Sequence, residues 1–100
     1  MGIVIQFATR RLRDVCERPE AESDLDEEAA SALIAVLAMA RLVGTVAELV
    51  AMLGPACSQR SGALRVVLGA EHVLRMREMP SVGRAATPRV QIRSIKREGN

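Results

Sequence analysis

The sequence has very few aromatic residues: its 100 positions include no tryptophan, no tyrosine and a single phenylalanine, Phe7. Aromatic side chains are the platforms on which proteins stack the bases of single-stranded nucleic acids, so binding by base stacking is not indicated. A chain of this length is typical of one domain with one modest core. We therefore expect a single domain over residues 1–100, in which polar side chains supply any binding of nucleic acid.

Cysteine and histidine are also scarce. Cys16 and Cys57 lie far apart without a CxxC spacing, and His72 is the one histidine, whereas a zinc site requires more ligands. We predict no metal site, no cofactor and two buried, reduced thiols. The first residues lack the basic segment and cleavage site of a signal peptide, which predicts a cytoplasmic protein.

Long hydrophobic runs that could cross a membrane are missing as well. Residues 29–53 are mostly apolar, but the uninterrupted part before Arg41 is shorter than the about 20 residues that a spanning helix needs. A pair of buried helices without membrane association explains the segment better. Because residues 29–40 are apolar on nearly every side, either neighbouring elements cover several faces or one face binds a partner. A homodimer through these helices is one hypothesis.

Positive charge is concentrated in one half of the chain and is carried by arginine. Residues 1–55 have five basic and nine acidic groups, whereas residues 56–100 have nine basic and three acidic groups. Lys96 is the one lysine, and the planar fork of arginine suits phosphate better than lysine does. This distribution favours a polyanionic partner such as RNA, although an arginine-rich solvated surface explains the composition equally well.

Local patterns in the first half predict one strand and three helices. Ile3, Ile5 and Phe7 alternate along a first strand, and a helix over residues 9–18 ends at Pro19.

Capping signatures mark the next two helices. Ser23 is predicted as the N-cap of a long helix, with Asp26 at its third position as the capping-box partner. The helix is predicted to run to Val43 and to end at Gly44. Thr45 repeats the capping signature before a short third helix.

The second half contains three strand-like segments. A small loop that contains Arg60 and Gly62 precedes a hairpin over residues 64–80, which turns near Gly69. A proline-bracketed loop covers residues 80–88, and a last strand covers residues 89–96. Successive side chains of a strand point to opposite faces. One set of alternate positions is apolar: Leu64, Val66, Leu68, Leu74, Met76, Val90 and Ile92. The other set contains the arginines Arg65, Arg75, Arg77 and Arg93. The element order predicts an α+β domain with the N-terminal strand and helices packed on one face of a small antiparallel sheet.

Several segments resemble the RelE/ParE toxin superfamily, specifically its HigB-like branch, the plasmid maintenance killer proteins. The opening of that branch is similar to FATRRLRDVCERPE (residues 7–20), and its segment before the sheet is similar to TVAEL (residues 45–49). Its strands resemble QRSGALRVVL (residues 59–68), HVLRMREMP (residues 72–80) and VQIRSI (residues 90–95). Together these matches extend over nearly the whole chain.

The resemblance implies a RelE-like fold and a cytoplasmic toxin of a type II toxin–antitoxin system. Most characterised members cleave mRNA on the ribosome by attack of the 2′-hydroxyl on the neighbouring phosphate, and a helix-turn-helix antitoxin neutralises them. The implied partners are therefore the ribosome, mRNA and a cognate antitoxin. Fixed arginines can stabilise the charge on the reacting phosphate.

The expected catalytic residues follow from the matched positions. Arg60 and Arg75 match arginines of the family motifs and are the expected phosphate contacts. Leu74 stands where the family has a tyrosine, so proton transfer is expected from His72, Lys96 or Glu78. Histidine is the side chain best suited to proton transfer near neutral pH, and His72 is therefore the first of these candidates.

The remaining cations are expected to bind RNA. Arg65, Arg77 and Arg93 follow from strand alternation, and Lys96 lies at the end of the last strand. Two other functions stay open: a divergent, non-catalytic RNA- or partner-binding protein on the same fold, and a ParE-like gyrase inhibitor.

Overall fold

The protein is an α+β domain with helices on one face of a sheet. A computed structural model describes residues 2–21, 24–80 and 87–98, and within them three α-helices and five strands are formed. The helices are α1 (Arg10–Glu17), α2 (Glu27–Leu42) and α3 (Val46–Leu53). The strands are β1 (Val4–Phe7), β2 (Cys57–Arg60), β3 (Ala63–Leu68), β4 (His72–Met79) and β5 (Arg89–Arg97). The predicted loop over residues 80–88 is described at its ends, and residues 81–86 lie outside the described part.

The sheet is mixed, which corrects the prediction of an antiparallel sheet with the first strand packed on its face. The strand order is β1-β5-β4-β3-β2, and β1 pairs with β5 in parallel. Parallel neighbours need a long crossover connection, which the intervening helices and strands supply. Strand alternation predicts the face of β1 but not its neighbour or direction, because pairing depends on contacts that are distant in sequence.

Strand β2 replaces the loop that the sequence predicts before the hairpin. It pairs antiparallel with β3, so that Arg60 lies opposite Ala63. The connecting turn consists of Ser61 and Gly62, which have positive φ values of 50° and 81°, as two-residue hairpin turns require. Arg60 is therefore fixed at the end of a strand instead of lying in a loop.

The helix caps confirm one prediction and correct another. The side chain of Thr45 accepts a hydrogen bond from the backbone N–H of Glu48 at the start of α3, as predicted, and Thr9 caps α1 in the same way. The N-cap of α2 is Asp26, whose Oδ1 accepts a 2.7 Å hydrogen bond from the Ala29 N–H. Asp26 was predicted at the third helical position, and Ser23, the predicted cap, lies outside the described residues. A carboxylate satisfies the N-cap site and also complements the helix dipole.

The predicted apolar face of the sheet is confirmed as the core. Every member of the alternating apolar set is at most 3% exposed, and the set packs with Leu33 of α2 and Leu49 of α3 in one cluster. Complete burial of one such side chain contributes about 1.5–3 kcal/mol. The core therefore holds the strands in register and fixes the direction of the side chains on the other face.

Helix α2 has apolar side chains on its outer side too. Leu33 is fully buried, but Ile34 is 51% exposed, and Leu42 at the end of α2 is 79% exposed. The homodimer predicted through these helices stays a prediction.

Candidate functional site

The outer face of the sheet, opposite the helices, gathers arginines from four strands. Arg65 of β3 lies directly opposite Arg75 of β4, and Arg60 and Arg77 lie on either side of Ala63 in the next row. Residues that face each other across neighbouring strands share one side of the sheet. We call the outer surface of Arg60, Arg65, Arg75, Arg77 and Arg93 the arginine face.

Strand alternation places Arg93 on this face, and a β-bulge adds Ser94 beside it. Arg75 pairs with Ser94, whereas the next residue, Met76, pairs with Ile92, so Arg93 is the extra residue of β5. A bulge shifts the alternation by one position. Arg93 and Ser94 therefore both lie near Arg75 on the outer side. Nη1 of Arg93 donates a 2.7 Å hydrogen bond to the side-chain oxygen of Gln91, which orients the guanidinium along the strand.

An open concavity of about 480 Å³ lies within the arginine face. All five arginines line it: Arg60, Arg65, Arg75, Arg77 and Arg93. Its floor includes Leu64 and Met76, which belong to the core. The structure thus brings together five of the eight cations and titratable groups that the sequence predicts as site residues.

One acidic residue, Glu98, lies against these arginines. Nη2 of Arg75 donates hydrogen bonds to both carboxylate oxygens of Glu98, at 2.8 and 2.7 Å. Nη2 of Arg65 lies 3.9 Å from one of the same oxygens. Among the described residues, no carboxylate forms an ion pair with Arg60 or Arg77. The arginine face thus has a neutralised part around Arg75 and an uncompensated part around Arg77.

His72 lies on the other side of the sheet. Its side chain is 3% exposed, and it points the same way as its core-facing neighbours, Leu68 across the hairpin and Leu74 along the strand. The structure therefore does not bring His72 together with Arg60 and Arg75, contrary to the predicted catalytic set. Strand alternation could have placed it correctly, because positions 72, 74 and 76 share one face.

His72 instead supports the segment before α2. Its Nε2 lies 2.7 Å from the carbonyl oxygen of Asp24. A carbonyl can only accept, so Nε2 carries the hydrogen of this bond. Nδ1 is buried without a hydrogen-bond partner among the described residues. This arrangement is structural, since it ties β4 to the start of α2 through one contact.

The other two proton-transfer candidates occupy different positions. Lys96 is exposed and pairs with Val73 of β4, which places it on the outer side, one row beyond Arg75. Glu78 is exposed at the far end of β4 and pairs with the core residue Val90. Lys96 therefore lies beside the arginine face, and its role as an RNA contact stays a prediction. Glu78 lies on the helix side of β4.

The cysteines fit the prediction of buried, unbridged thiols. Cys16 and Cys57 are both buried and free, and burial raises the pKa of the Cys16 thiol to about 11. Burial also raises the pKa of Cys57. Neither thiol is a reactive nucleophile at neutral pH, because the thiolate is the reactive form.

Across residues 2–21, 24–80 and 87–98, no three His, Cys, Asp or Glu side chains are grouped to hold a metal ion. Within those ranges, none of the helices combines the length and the apolar character needed to cross a bilayer.

No protein-family model, no curated protein and no solved structure matches this chain. The resemblance to the RelE/ParE superfamily therefore stays a prediction from the sequence segments. The arginine face is the feature of the molecule that bears on its function.

Proposed function

We propose that the protein binds RNA through its arginine face and acts as an mRNA interferase of the RelE/HigB kind. The observation that carries the proposal is the convergence of five guanidinium groups on one concavity, with Arg60 and Arg77 lacking carboxylate partners among the described residues. Uncompensated like charges repel each other in the free protein. A phosphate chain removes that repulsion and supplies acceptors for every guanidinium.

The composition of this face favours contacts with phosphates over contacts with bases. Neither tryptophan nor tyrosine occurs in the chain, and Phe7 is part of the helix-side cluster. Binding of this type depends little on sequence and falls steeply with salt, because each phosphate contact releases a condensed counterion. The proposal therefore predicts a strong salt dependence and a weak sequence preference.

In the proposed reaction, the 2′-hydroxyl of one nucleotide loses its proton to water and attacks the adjacent phosphorus, which forms a 2′,3′-cyclic phosphate. The 5′-oxygen of the next nucleotide leaves and takes up a proton from water. The charge on the reacting phosphate rises, and guanidinium groups fixed on a strand can stabilise it; one well-placed donor contributes about 2.7–4 kcal/mol. Arg60 and Arg75 are the proposed donors. His72 lies on the opposite side of the sheet, and the carboxylate that contacts Arg75 is that of Glu98. The main contribution of the arginine face to the reaction is therefore stabilisation of the charge on the phosphate.

The binding part of the proposal is tested by titrating a labelled single-stranded oligoribonucleotide at several salt concentrations. For four or five phosphate contacts, the slope of log K against log salt is expected to be about −3, since each contact to a single strand contributes about −0.7. Absence of binding at low salt, or binding that does not change with salt, would contradict the proposal.

The catalytic part is tested by expressing the chain in a bacterial host and following growth and transcript integrity. Growth arrest with cleaved transcripts is expected for the natural sequence, and Arg60→Ala and Arg75→Ala are each expected to abolish it. Arg18→Ala on the helix side, which removes the same charge, is the control and should keep the effect. Arrest that survives both arginine substitutions would show that the site is elsewhere.

A second candidate is a non-catalytic RNA-binding protein on the same fold. The position of His72 favours it, because the predicted proton-transfer group does not reach the arginine face. This candidate predicts the same salt-dependent binding without strand scission. Intact transcripts in cells that express a folded, RNA-binding protein would select it.

A further inference from the structure

We propose that Arg65 and Arg75 form a binding site for a single phosphate group, and that Glu98 occupies this site in the free protein and competes with RNA for it. The inference rests on the proposed RNA-binding function and assigns a negative regulator to the same face. We call Arg65 and Arg75, with the space between their guanidinium groups, the two-arginine site.

The geometry of the two-arginine site is that of an anion site. Arg65 and Arg75 are directly opposite each other on neighbouring strands, a placement that is destabilising for like charges unless an anion lies between them. The Glu98 carboxylate lies there, at 2.7 and 2.8 Å from Arg75 and 3.9 Å from Arg65. Its two oxygens stand where two oxygens of a phosphate would accept the same hydrogen bonds.

The chain brings Glu98 to this position through the sheet. The N–H of Glu98 donates a 2.6 Å hydrogen bond to the carbonyl of Glu71, which extends the ladder of β5 by one residue. Because of the bulge at Arg93, side chains at positions 94, 96 and 98 point outward. The backbone thus presents the Glu98 carboxylate to the arginine face, and the side chain is 31% exposed.

Competition follows from the charges. RNA can contact Arg75 only where the guanidinium is released from Glu98, and the released carboxylate then lies close to the phosphate that replaced it. When RNA binds this site in the natural protein, one counterion is released from the phosphate, and the freed Glu98 carboxylate takes up another. The net release of ions is therefore zero. In a variant without the carboxylate, the same contact releases one more ion.

The test compares Glu98→Gln with Glu71→Gln. Both substitutions remove one negative charge near the same end of the sheet. Glu71, however, pairs with Arg97 at 3.3 Å and lies outside the two-arginine site. Binding of a labelled oligouridylate is measured by fluorescence anisotropy as a function of salt, and thermal unfolding confirms that each variant is folded.

We expect Glu98→Gln to bind oligouridylate about fivefold more tightly in 0.1 M salt, with a salt slope steeper by about 0.7, the contribution of one additional phosphate contact. Glu71→Gln should leave the slope unchanged. In a background that carries both Arg65→Gln and Arg75→Gln, the gain from Glu98→Gln should disappear, because the three residues act on one site. An equal gain from both glutamine variants, or a gain that persists without the two arginines, would overturn the inference.

Failure of the proposed function is separable from failure of this inference. If neither the natural protein nor Glu98→Gln binds oligouridylate, the RNA-binding proposal is wrong. The two-arginine site is then tested with inorganic triphosphate by calorimetry. Tighter binding to Glu98→Gln than to Glu71→Gln would support the site, and equal binding would overturn it.

Discussion

The two faces of the sheet are made by the same strands and serve different purposes. On the helix side, Leu64, Leu74 and Ile92 are fully or almost fully buried. On the outer side, their immediate neighbours Arg65, Arg75 and Arg93 are exposed. Because a strand alternates its side chains, each pair of adjacent residues divides into one that stabilises the fold and one that is available for binding. Substitutions at two adjacent positions can therefore change stability and binding independently.

The largest expected effect is a loss of stability caused by a substitution on the helix side alone. Leu74→Ala removes a fully buried side chain and should lower the free energy of unfolding by about 2–5 kcal/mol. Arg75→Ala, at the next position, removes a half-exposed ion pair and should cost about 1 kcal/mol or less. Urea unfolding of both variants checks the contrast. Equal losses would mean that the outer face contributes to folding as much as the core.

The second effect is on binding and concerns the outer side alone. Arg77 is exposed and has no carboxylate partner among the described residues. Arg77→Gln should weaken RNA binding about fivefold in 0.1 M salt, the contribution of one phosphate contact, and Arg77→Glu about twentyfold or more. The free energy of unfolding should stay within about 0.5 kcal/mol.

The matched control for this effect is Arg18→Glu, which makes the same charge change after α1 on the helix side. It should leave RNA affinity nearly unchanged. If Arg18→Glu weakens binding as much as Arg77→Glu does, RNA responds to total charge and the two faces are equivalent.

What the sequence predicts correctly is determined by local periodicity. The apolar set and the arginine set separate as expected because strand alternation requires nothing beyond neighbouring residues. The cap at Thr45 is likewise local, because a side-chain oxygen reaches an N–H three residues later. These signals are sufficient to predict the arginine face before any pairing is known.

What the sequence does not predict depends on contacts between distant segments. The parallel pairing of β1 with β5 and the edge strand β2 follow from which strands become neighbours. The bulge at Arg93 has no sequence signature, yet it turns Lys96 and Glu98 to the outer side. Glu98 was therefore missed as a member of the site, although the arginines that it contacts were found.

A smaller effect on stability is expected from the N-cap of α2, on the helix side. Asp26→Ala removes the N-cap of α2, whose carboxylate accepts from Ala29, and should lower the free energy of unfolding by about 1 kcal/mol. RNA affinity should not change, since α2 lies on the side opposite the arginines. Asp26→Asn, which keeps an acceptor oxygen, should restore most of the loss. A failure of Asp26→Asn to recover stability would show that the carboxylate acts by charge and not as a cap.

The smallest effect is a pH dependence that arises on the helix side. Burial raises the pKa of Cys16 from 9.0 to about 11, so the unfolded chain releases this proton at lower pH than the folded protein does. The contribution of the protonated thiol to stability is complete below pH 9 and is lost as the pH rises from about 9 towards 11. The loss at pH 9 itself is roughly a few tenths of a kcal/mol.

Urea unfolding at pH 7, 9 and 10 should therefore show a decline in the free energy of unfolding that Cys16→Ala reduces. Cys57→Ala serves as the control, because it leaves Cys16 in place and should retain most of the decline. If Cys16→Ala loses stability with pH as steeply as the natural protein, the thiol is not protected by the core, and the helix side is more open to water than its burial indicates.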